Sequence, residues 1–84
     1  MMDYKGAREY LEEHRGEVFN DWILVSLSEE QFSQVSELEK FFYNDRFVCR
    51  RLGLKYSDLN PNDVARAACF LVMGGDFLDR KVVA

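Results

Sequence analysis

The stretch Ser28-Glu29-Glu30-Gln31 carries the clearest structural signal in the chain. A serine followed three residues later by a glutamine forms a capping box, in which each side chain accepts a hydrogen bond from the other residue's backbone N–H. Apolar residues then recur at the spacing of one helix face, at Phe32, Val35, Leu38 and Phe42. The pattern predicts a helix that begins after Ser28. It either continues to Leu52 or breaks at Asn44-Asp45, where Asn44 would cap a second helix.

Two further helices are predicted on either side of this one. Residues 3–15 place Tyr4, Ala7, Leu11 and His14 on one side, and Gly16 suits the position just after a helix end. Asn60, Pro61 and Asp63 supply a cap, a proline at the first helical position and an acid in the first turn. Gly74-Gly75 ends that last helix, whose buried side is predicted to consist of Val64, Ala67, Ala68, Leu71 and Val72.

The run from Trp22 to Val25 is apolar throughout, so periodicity does not decide between a buried strand and a short helix. We favour a strand over residues 22–27, paired with Lys55-Tyr56 or with residues 80–83. The predicted fold class is therefore α+β and predominantly helical, with three main helices and one short apolar strand or extra helix. An all-α bundle is the alternative. Residues 76–84 are predicted to form a short helix or a final strand.

Length and composition restrict the class of protein. Eighty-four residues suit one compact domain, so residues 1–84 are expected to fold as a single unit. Hydrophobic residues make up 48% of the chain and charged residues 31%, which is typical of a folded domain. Because so small a core leaves little room for a deep substrate pocket, we expect a protein that is not an enzyme.

The compartment is predicted from the cysteines and from the apolar runs. Cys49 and Cys69 lie in apolar surroundings and are expected to be buried, reduced thiols, with a Cys49–Cys69 disulfide as the less favoured alternative. The start of the chain lacks the apolar stretch of a signal peptide, and the longest apolar run, residues 67–73, is too short to cross a membrane. We therefore expect a cytoplasmic protein without a membrane partner, located in the host cytoplasm if a phage encodes it.

The residues that usually carry chemistry are scattered. His14, the one histidine, has no nucleophile or orienting group assignable beside it. The two cysteines and His14 lack the spacing of metal ligands. Gly74-Gly75 is not followed by the lysine of a phosphate-binding loop. We expect neither a catalytic site, a metal nor a cofactor.

The net charge of −4 is distributed unevenly along the chain. Residues 1–45 contain 11 acidic and 4 basic residues, whereas residues 46–84 contain 4 acidic and 7 basic residues, so the two halves carry −7 and +3. An acidic half repels phosphate and attracts a basic protein surface. Glu9, Glu13 and Glu17 would share one stripe if the first helix continued past Gly16. The candidate partner-binding residues are Glu9, Glu12, Glu13, Glu17, Glu29, Glu30, Glu37, Phe41 and Tyr43.

These features predict a small acidic protein-binding module, an inhibitor that docks on a larger basic, nucleic-acid-binding partner. Its carboxylates would occupy the places of phosphates, as in a nucleic-acid mimic. Anti-defence proteins of phages and mobile elements, such as anti-CRISPR proteins, share this build, which is a likeness of type and not of sequence.

Two other functions are kept as alternatives. The one basic cluster, Arg46, Arg50, Arg51 and Lys55, lies among aromatic residues and would suit a small helical DNA-binding regulator. We favour pairing of these cations with the acidic half, which makes direct binding of nucleic acid the less favoured interpretation. The second alternative is a structural homodimer, in which an exposed apolar helix face completes its core against a second copy.

Overall fold

The computed structural model describes residues 2–75, which contain five α-helices and no strand. In chain order these helices are α1 (Tyr4–Glu13), α2 (Trp22–Val25), α3 (Glu29–Asn44), α4 (Arg46–Arg51) and α5 (Pro61–Met73), with a 3₁₀ turn (Tyr56–Asp58) between α4 and α5. The three main helices predicted from the sequence are present. The described residues fit the all-helical alternative, and the α+β label is not confirmed.

The central helix is α5, because α1 and α3 both pack against it. Ala67, Ala68 and Cys69 are fully buried on α5, and their small side chains allow neighbouring helices to approach closely. Leu71 and Val72, which were predicted to be buried, are only partly covered. The other helices contribute Ala7, Leu11, Ile23, Val35, Leu38, Phe42, Val48 and Cys49 to the core, and Val64 of α5 with Phe19 and Leu52 between helices complete it.

The predicted starts of α3 and α5 are confirmed. Ser28 Oγ accepts a hydrogen bond from the Gln31 N–H, and Gln31 Oε1 accepts one from the Ser28 N–H, each at 3.2 Å. Asn60 Oδ1 accepts a hydrogen bond from the Asn62 N–H at 2.8 Å, and Pro61 occupies the first turn. These bonds satisfy backbone donors that have no partner within the helix.

The boundary between α3 and α4 lies where the break was predicted, but the capping residue is different. Asp45 has an extended backbone, and its Oδ1 accepts hydrogen bonds from the N–H groups of Phe47 and Val48 at 2.9 and 3.3 Å. Asn44 is the last residue of α3, and its side-chain amide donates to the Lys40 carbonyl. The carboxylate of Asp45, and not the amide of Asn44, therefore begins the second helix.

The strand predicted over residues 22–27 is wrong, because Trp22–Val25 forms the single helical turn α2. Asn20 Oδ1 accepts a hydrogen bond from the Trp22 N–H at 3.1 Å, and Ser26 Oγ donates to the Ile23 carbonyl at 2.8 Å. These local bonds engage backbone groups that a strand would pair across a sheet. Of the two proposed partner segments, Lys55-Tyr56 leads into the 3₁₀ turn. Residues 80–83, like the element predicted over residues 76–84, lie outside the described residues.

Two polar side chains of α5 hold the loop between α1 and α2. Asn62 Oδ1 accepts a hydrogen bond from the Phe19 N–H at 3.1 Å, and Arg66 Nη2 donates to the Glu17 carbonyl at 3.1 Å. Arg66 Nη1 also donates to Asp63 Oδ1 at 3.4 Å. Arg66 is the only cation of α5 and is just 5% exposed. The guanidinium of Arg66 therefore binds groups inside the protein and is not accessible to a ligand.

None of the helices within residues 2–75 is both long and apolar enough to cross a lipid bilayer.

Candidate functional site

One exposed side of α3 brings together three of the predicted partner-binding residues. Glu30, Glu37 and Phe41 follow one another at intervals of two turns and one turn on the same face of the helix, with Gln34 between the two glutamates. All four side chains are exposed, and Phe41 keeps 45% of its surface accessible. We call this row the α3 stripe (Glu30, Gln34, Glu37 and Phe41). It presents two carboxylates and an aromatic ring to solvent.

The α3 stripe borders a shallow groove with apolar walls and a volume of about 320 Å³. Its lining residues come from α3, from the end of α5 and from the residue before Asp3, and they are Met2, Gln34, Glu37, Leu38, Leu71 and Val72. Carboxylates beside aliphatic side chains suit a lysine or arginine, because such a residue has an apolar stem and a charged head. The groove therefore has the chemistry to accept a basic side chain.

Tyr43 and Glu29 do not belong to the α3 stripe. Phe42 is fully buried, and Phe41 and Tyr43 stand on opposite sides of it, because residues two apart on a helix differ in direction by about 200°. Tyr43 is 43% exposed on its own flank. Glu29 is exposed in the first turn of α3. The two aromatic residues that the sequence grouped together thus cannot contact the same patch of a partner.

The acids near α1 are partly neutralised. Glu9, Glu12 and Glu13 are exposed on α1, and Arg8 Nε lies 3.6 Å from Glu12 Oε1. The helix ends at Glu13, so the stripe that required a helix continuing past Gly16 does not form. Glu17 lies in the loop beyond, where its carboxylate contacts His14 Nδ1 at 2.6 Å.

Most of the predicted acids have no ion-pair partner within residues 2–75. The ion pairs within residues 2–75 join Arg8 to Glu12 and Arg66 to Asp63, and Glu17 contacts the ring of His14, which is charged only when it is protonated. Five of the seven predicted glutamates therefore have no ion-pair partner among the described residues, namely Glu9, Glu13, Glu29, Glu30 and Glu37. Glu9 and Glu13 lie on α1 and the other three lie on α3, and both of these helices pack against α5.

Residues 16–39, which we call the acidic segment, contain six acidic residues and no lysine, arginine or histidine. Three of its apolar side chains are highly exposed, with accessible fractions of 83% for Val18, 69% for Trp22 and 75% for Val25. The sequence prediction missed Trp22 and Val25 because it favoured a buried strand over residues 22–27, and it gave Val18 no role in binding. Asn20 and Asp21, which favour helix starts, were the available signal for a helical turn with one buried side. An exposed tryptophan is typical of binding hot spots.

The basic cluster does not pair with the acidic half, contrary to the sequence prediction. Arg46, Arg50 and Lys55 line one groove with Tyr56. Arg51 lies elsewhere, with its guanidinium carbon 5.9 Å from the ring centroid of Tyr4. None of these four cations forms an ion pair with a residue in the described range. A helical DNA-binding regulator would also need a helix that presents cations to the duplex, and Arg66, the one cation of α5, is buried.

The two cysteines are buried free thiols, as predicted, and the alternative disulfide is absent. Burial, and secondarily the charge of Glu39, raises the pKa of the Cys69 thiol to about 12. Burial also raises the pKa values of Cys49 and of the half-buried Glu39. Because the thiolate is the nucleophile and the metal ligand, such thiols are inert packing groups. Residues 2–75 hold no cluster of three potential metal ligands.

Comparisons of the chain with protein family models, with curated proteins and with solved structures found no match. A function is therefore assigned from the chemistry of the chain's own surface.

Proposed function

We propose that this protein is a small, non-enzymatic binding module that docks its acidic surface on a larger basic protein and blocks it. The α3 stripe is the observation that carries the proposal, because Phe41 and two carboxylates that have no ion-pair partner in the described part of the chain share one exposed face beside a groove with apolar walls. Glu9 and Glu13 on α1 and the remaining acids of the acidic segment extend the negative potential around it. Such a field steers a basic partner toward the surface, and contacts with Phe41 then stabilise the complex.

The carboxylates of the α3 stripe would take the places of phosphates on the partner. Glu30 and Glu37 are separated along the helix axis by about 10 Å, which is the rise of about three nucleotides of a nucleic-acid strand. A partner groove lined with lysine and arginine would then bind this protein instead of its nucleic acid. Inhibition of a nucleic-acid-binding complex, as by anti-CRISPR proteins and other anti-defence proteins of phages, is the setting that this build suits.

The experiment compares two charge reversals of equal size. Glu37→Lys lies in the α3 stripe, whereas Asp58→Lys alters an exposed acid in the 3₁₀ turn and serves as the control. Each immobilised protein is used to retain proteins from a nuclease-treated extract of its native cell. We expect the wild type and Asp58→Lys to retain the same basic protein, which salt or excess duplex DNA releases. Glu37→Lys should retain about tenfold less, while its circular dichroism remains that of the wild type.

Equal retention by Glu37→Lys and Asp58→Lys would contradict the proposal, as would a retained protein that is acidic or that resists salt. Light scattering at several concentrations tests the homodimer alternative on the same samples. A monomer that binds the basic protein supports the proposal. A dimer that Glu37→Lys dissociates would assign the α3 stripe to self-association instead.

A further inference from the structure

A second surface of the molecule is basic and has the shape of a groove. Arg46 and Arg50 lie one turn apart on α4, and the chain that follows α4 brings Lys55 and Tyr56 to the same depression. Leu54 and Ser57 complete the lining, and the volume is about 460 Å³. We call this depression the basic groove. It has no residue in common with the α3 stripe, so it is a separate candidate site.

The reversal of the chain that forms the basic groove is held by backbone hydrogen bonds. Gly53 has a φ of +74°, a left-handed conformation that favours glycine. The Gly53 N–H donates to the Arg50 carbonyl at 3.0 Å, and the Leu54 N–H donates to the Cys49 carbonyl at 2.8 Å. This pair of bonds is a Schellman motif, which ends the helix with a defined geometry. The backbone of Lys55 is therefore fixed relative to Arg50.

The cations of the basic groove are available to an anion. Arg46, Arg50 and Lys55 have no ion-pair partner within residues 2–75. The guanidinium carbon of Arg46 lies 5.8 Å from the ring centroid of Tyr56, and this cation–π contact holds the side chain without consuming its N–H donors. The neighbouring Asp45 is engaged as the cap of α4. Asp58 does not line the basic groove and lies instead in an adjacent depression, which shares Leu54 and Lys55 with the groove.

We propose that the basic groove binds a single strand of nucleic acid, with Arg46, Arg50 and Lys55 on phosphates and the exposed ring of Tyr56 against a base. Three cations and an aromatic ring in one groove match the two parts of a nucleotide, its charged backbone and its flat base. Tyr56 is 43% exposed, so its ring is accessible to a ligand. A phosphate without a base would contact the cations but not the ring of Tyr56, so the groove suits a nucleotide better than a free phosphate.

A duplex fits this surface less well than a single strand. Reading of the major groove requires a helix that projects from the protein. The described helix beside the basic groove, α4, has six residues, and its Val48 and Cys49 are buried. The longer α5 lies at the centre of the bundle, with its cation enclosed. A strand whose bases are free can instead lie along the groove and turn one base onto Tyr56.

The test measures the fluorescence anisotropy of a labelled oligothymidylate with the full-length protein at low salt. Arg50→Ala and Arg51→Ala form a matched pair, because they remove the same charge from adjacent exposed positions of α4, and only Arg50 lines the basic groove. We expect Arg50→Ala to weaken binding about fivefold or more and Arg51→Ala to change it less than twofold. The slope of log K against log salt should be near −2, about 0.7 for each of three phosphates.

Tyr56→Phe and Tyr56→Ala separate stacking from charge. Phenylalanine should retain wild-type affinity, and alanine should lose about fivefold or more, because it removes both the ring and the support of Arg46. Absence of binding at low salt, equal effects of Arg50→Ala and Arg51→Ala, or equal loss in both Tyr56 variants would each overturn the proposal. Binding of a matched duplex as tightly as the strand would also overturn it. Circular dichroism of every variant confirms that the fold is retained.

Discussion

At the level of single residues, Arg66 connects parts of the molecule that lie far apart in sequence. Its guanidinium donates to the Glu17 carbonyl and to Asp63, and its guanidinium carbon lies 6.0 Å from the ring centroid of Phe19. A buried guanidinium requires such partners, because an unpaired charge in the interior costs several kcal/mol. The sequence around Arg66 predicts a helix. It does not indicate that the guanidinium binds the backbone of Glu17, a loop residue 49 positions earlier in the chain.

Arg66→Ala is expected to lower the free energy of unfolding by about 2–3 kcal/mol, since hydrogen bonds to a charged group and the packing of the arginine stem are both lost. The control is Arg8→Ala, which removes a cation whose ion pair with Glu12 is exposed, and its cost should stay below about 1 kcal/mol. Urea unfolding followed by circular dichroism measures both values. Equal losses in the two variants would show that Arg66 contributes no more than a surface charge.

At the level of elements, the turn from α3 into α4 depends on one carboxylate. Asp45 accepts hydrogen bonds from two backbone N–H groups of α4, while Asn44 bonds only to the Lys40 carbonyl within α3. Asp45→Ala should therefore destabilise the protein by about 1–2 kcal/mol, and Asn44→Ala by less than about 0.5 kcal/mol. Thermal unfolding of the two variants measures the difference. A larger loss of stability for Asn44→Ala than for Asp45→Ala would mean that the asparagine, and not the aspartate, stabilises the boundary between α3 and α4.

The elements that could be predicted from the sequence are those fixed by local interactions. The cap of α3 joins Ser28 to a residue three positions away, so its sequence signature contains the whole interaction. The apolar run that forms α2 has no periodicity, so the sequence does not show whether it is a strand or a helix. That choice depends on tertiary packing, which buries Ile23 and leaves Trp22 and Val25 exposed. The binding surfaces were partly predictable for the same reason. Spacing on one helix unites Glu37 and Phe41, and it also turns Arg51 away from Arg50, because adjacent helix residues differ in direction by about 100°. The contact of Arg51 with the ring of Tyr4, in contrast, depends on how α1 packs and could not be predicted from spacing.

At the level of the whole molecule, the distribution of charge matters because the protein is small. Its principal extents are 35 × 26 × 23 Å. The Debye length is about 30 Å at an ionic strength of 0.01 M and about 8 Å at 0.15 M. At low salt every charge thus interacts with most of the others, and at physiological salt only near neighbours interact. With a net charge of −4 and five glutamates without partners among the described residues, the low-salt protein carries a net repulsion.

Raising NaCl from about 10 mM to about 150 mM should therefore stabilise the folded protein, because the added ions screen repulsion between the unpaired carboxylates. We expect an increase of about 1 kcal/mol, or about 4–8 °C in the midpoint of thermal unfolding for a domain of this size. Glu37→Gln removes one unpaired charge from the α3 stripe, so it should raise the midpoint at low salt and reduce the response to NaCl. Glu12→Gln is the control, because it removes an acid already paired with Arg8 and should leave the low-salt midpoint nearly unchanged.

A midpoint that falls on addition of salt would show that attraction between the two charged halves outweighs the repulsion within the acidic half. In that case the acidic surface would not attract a basic partner strongly.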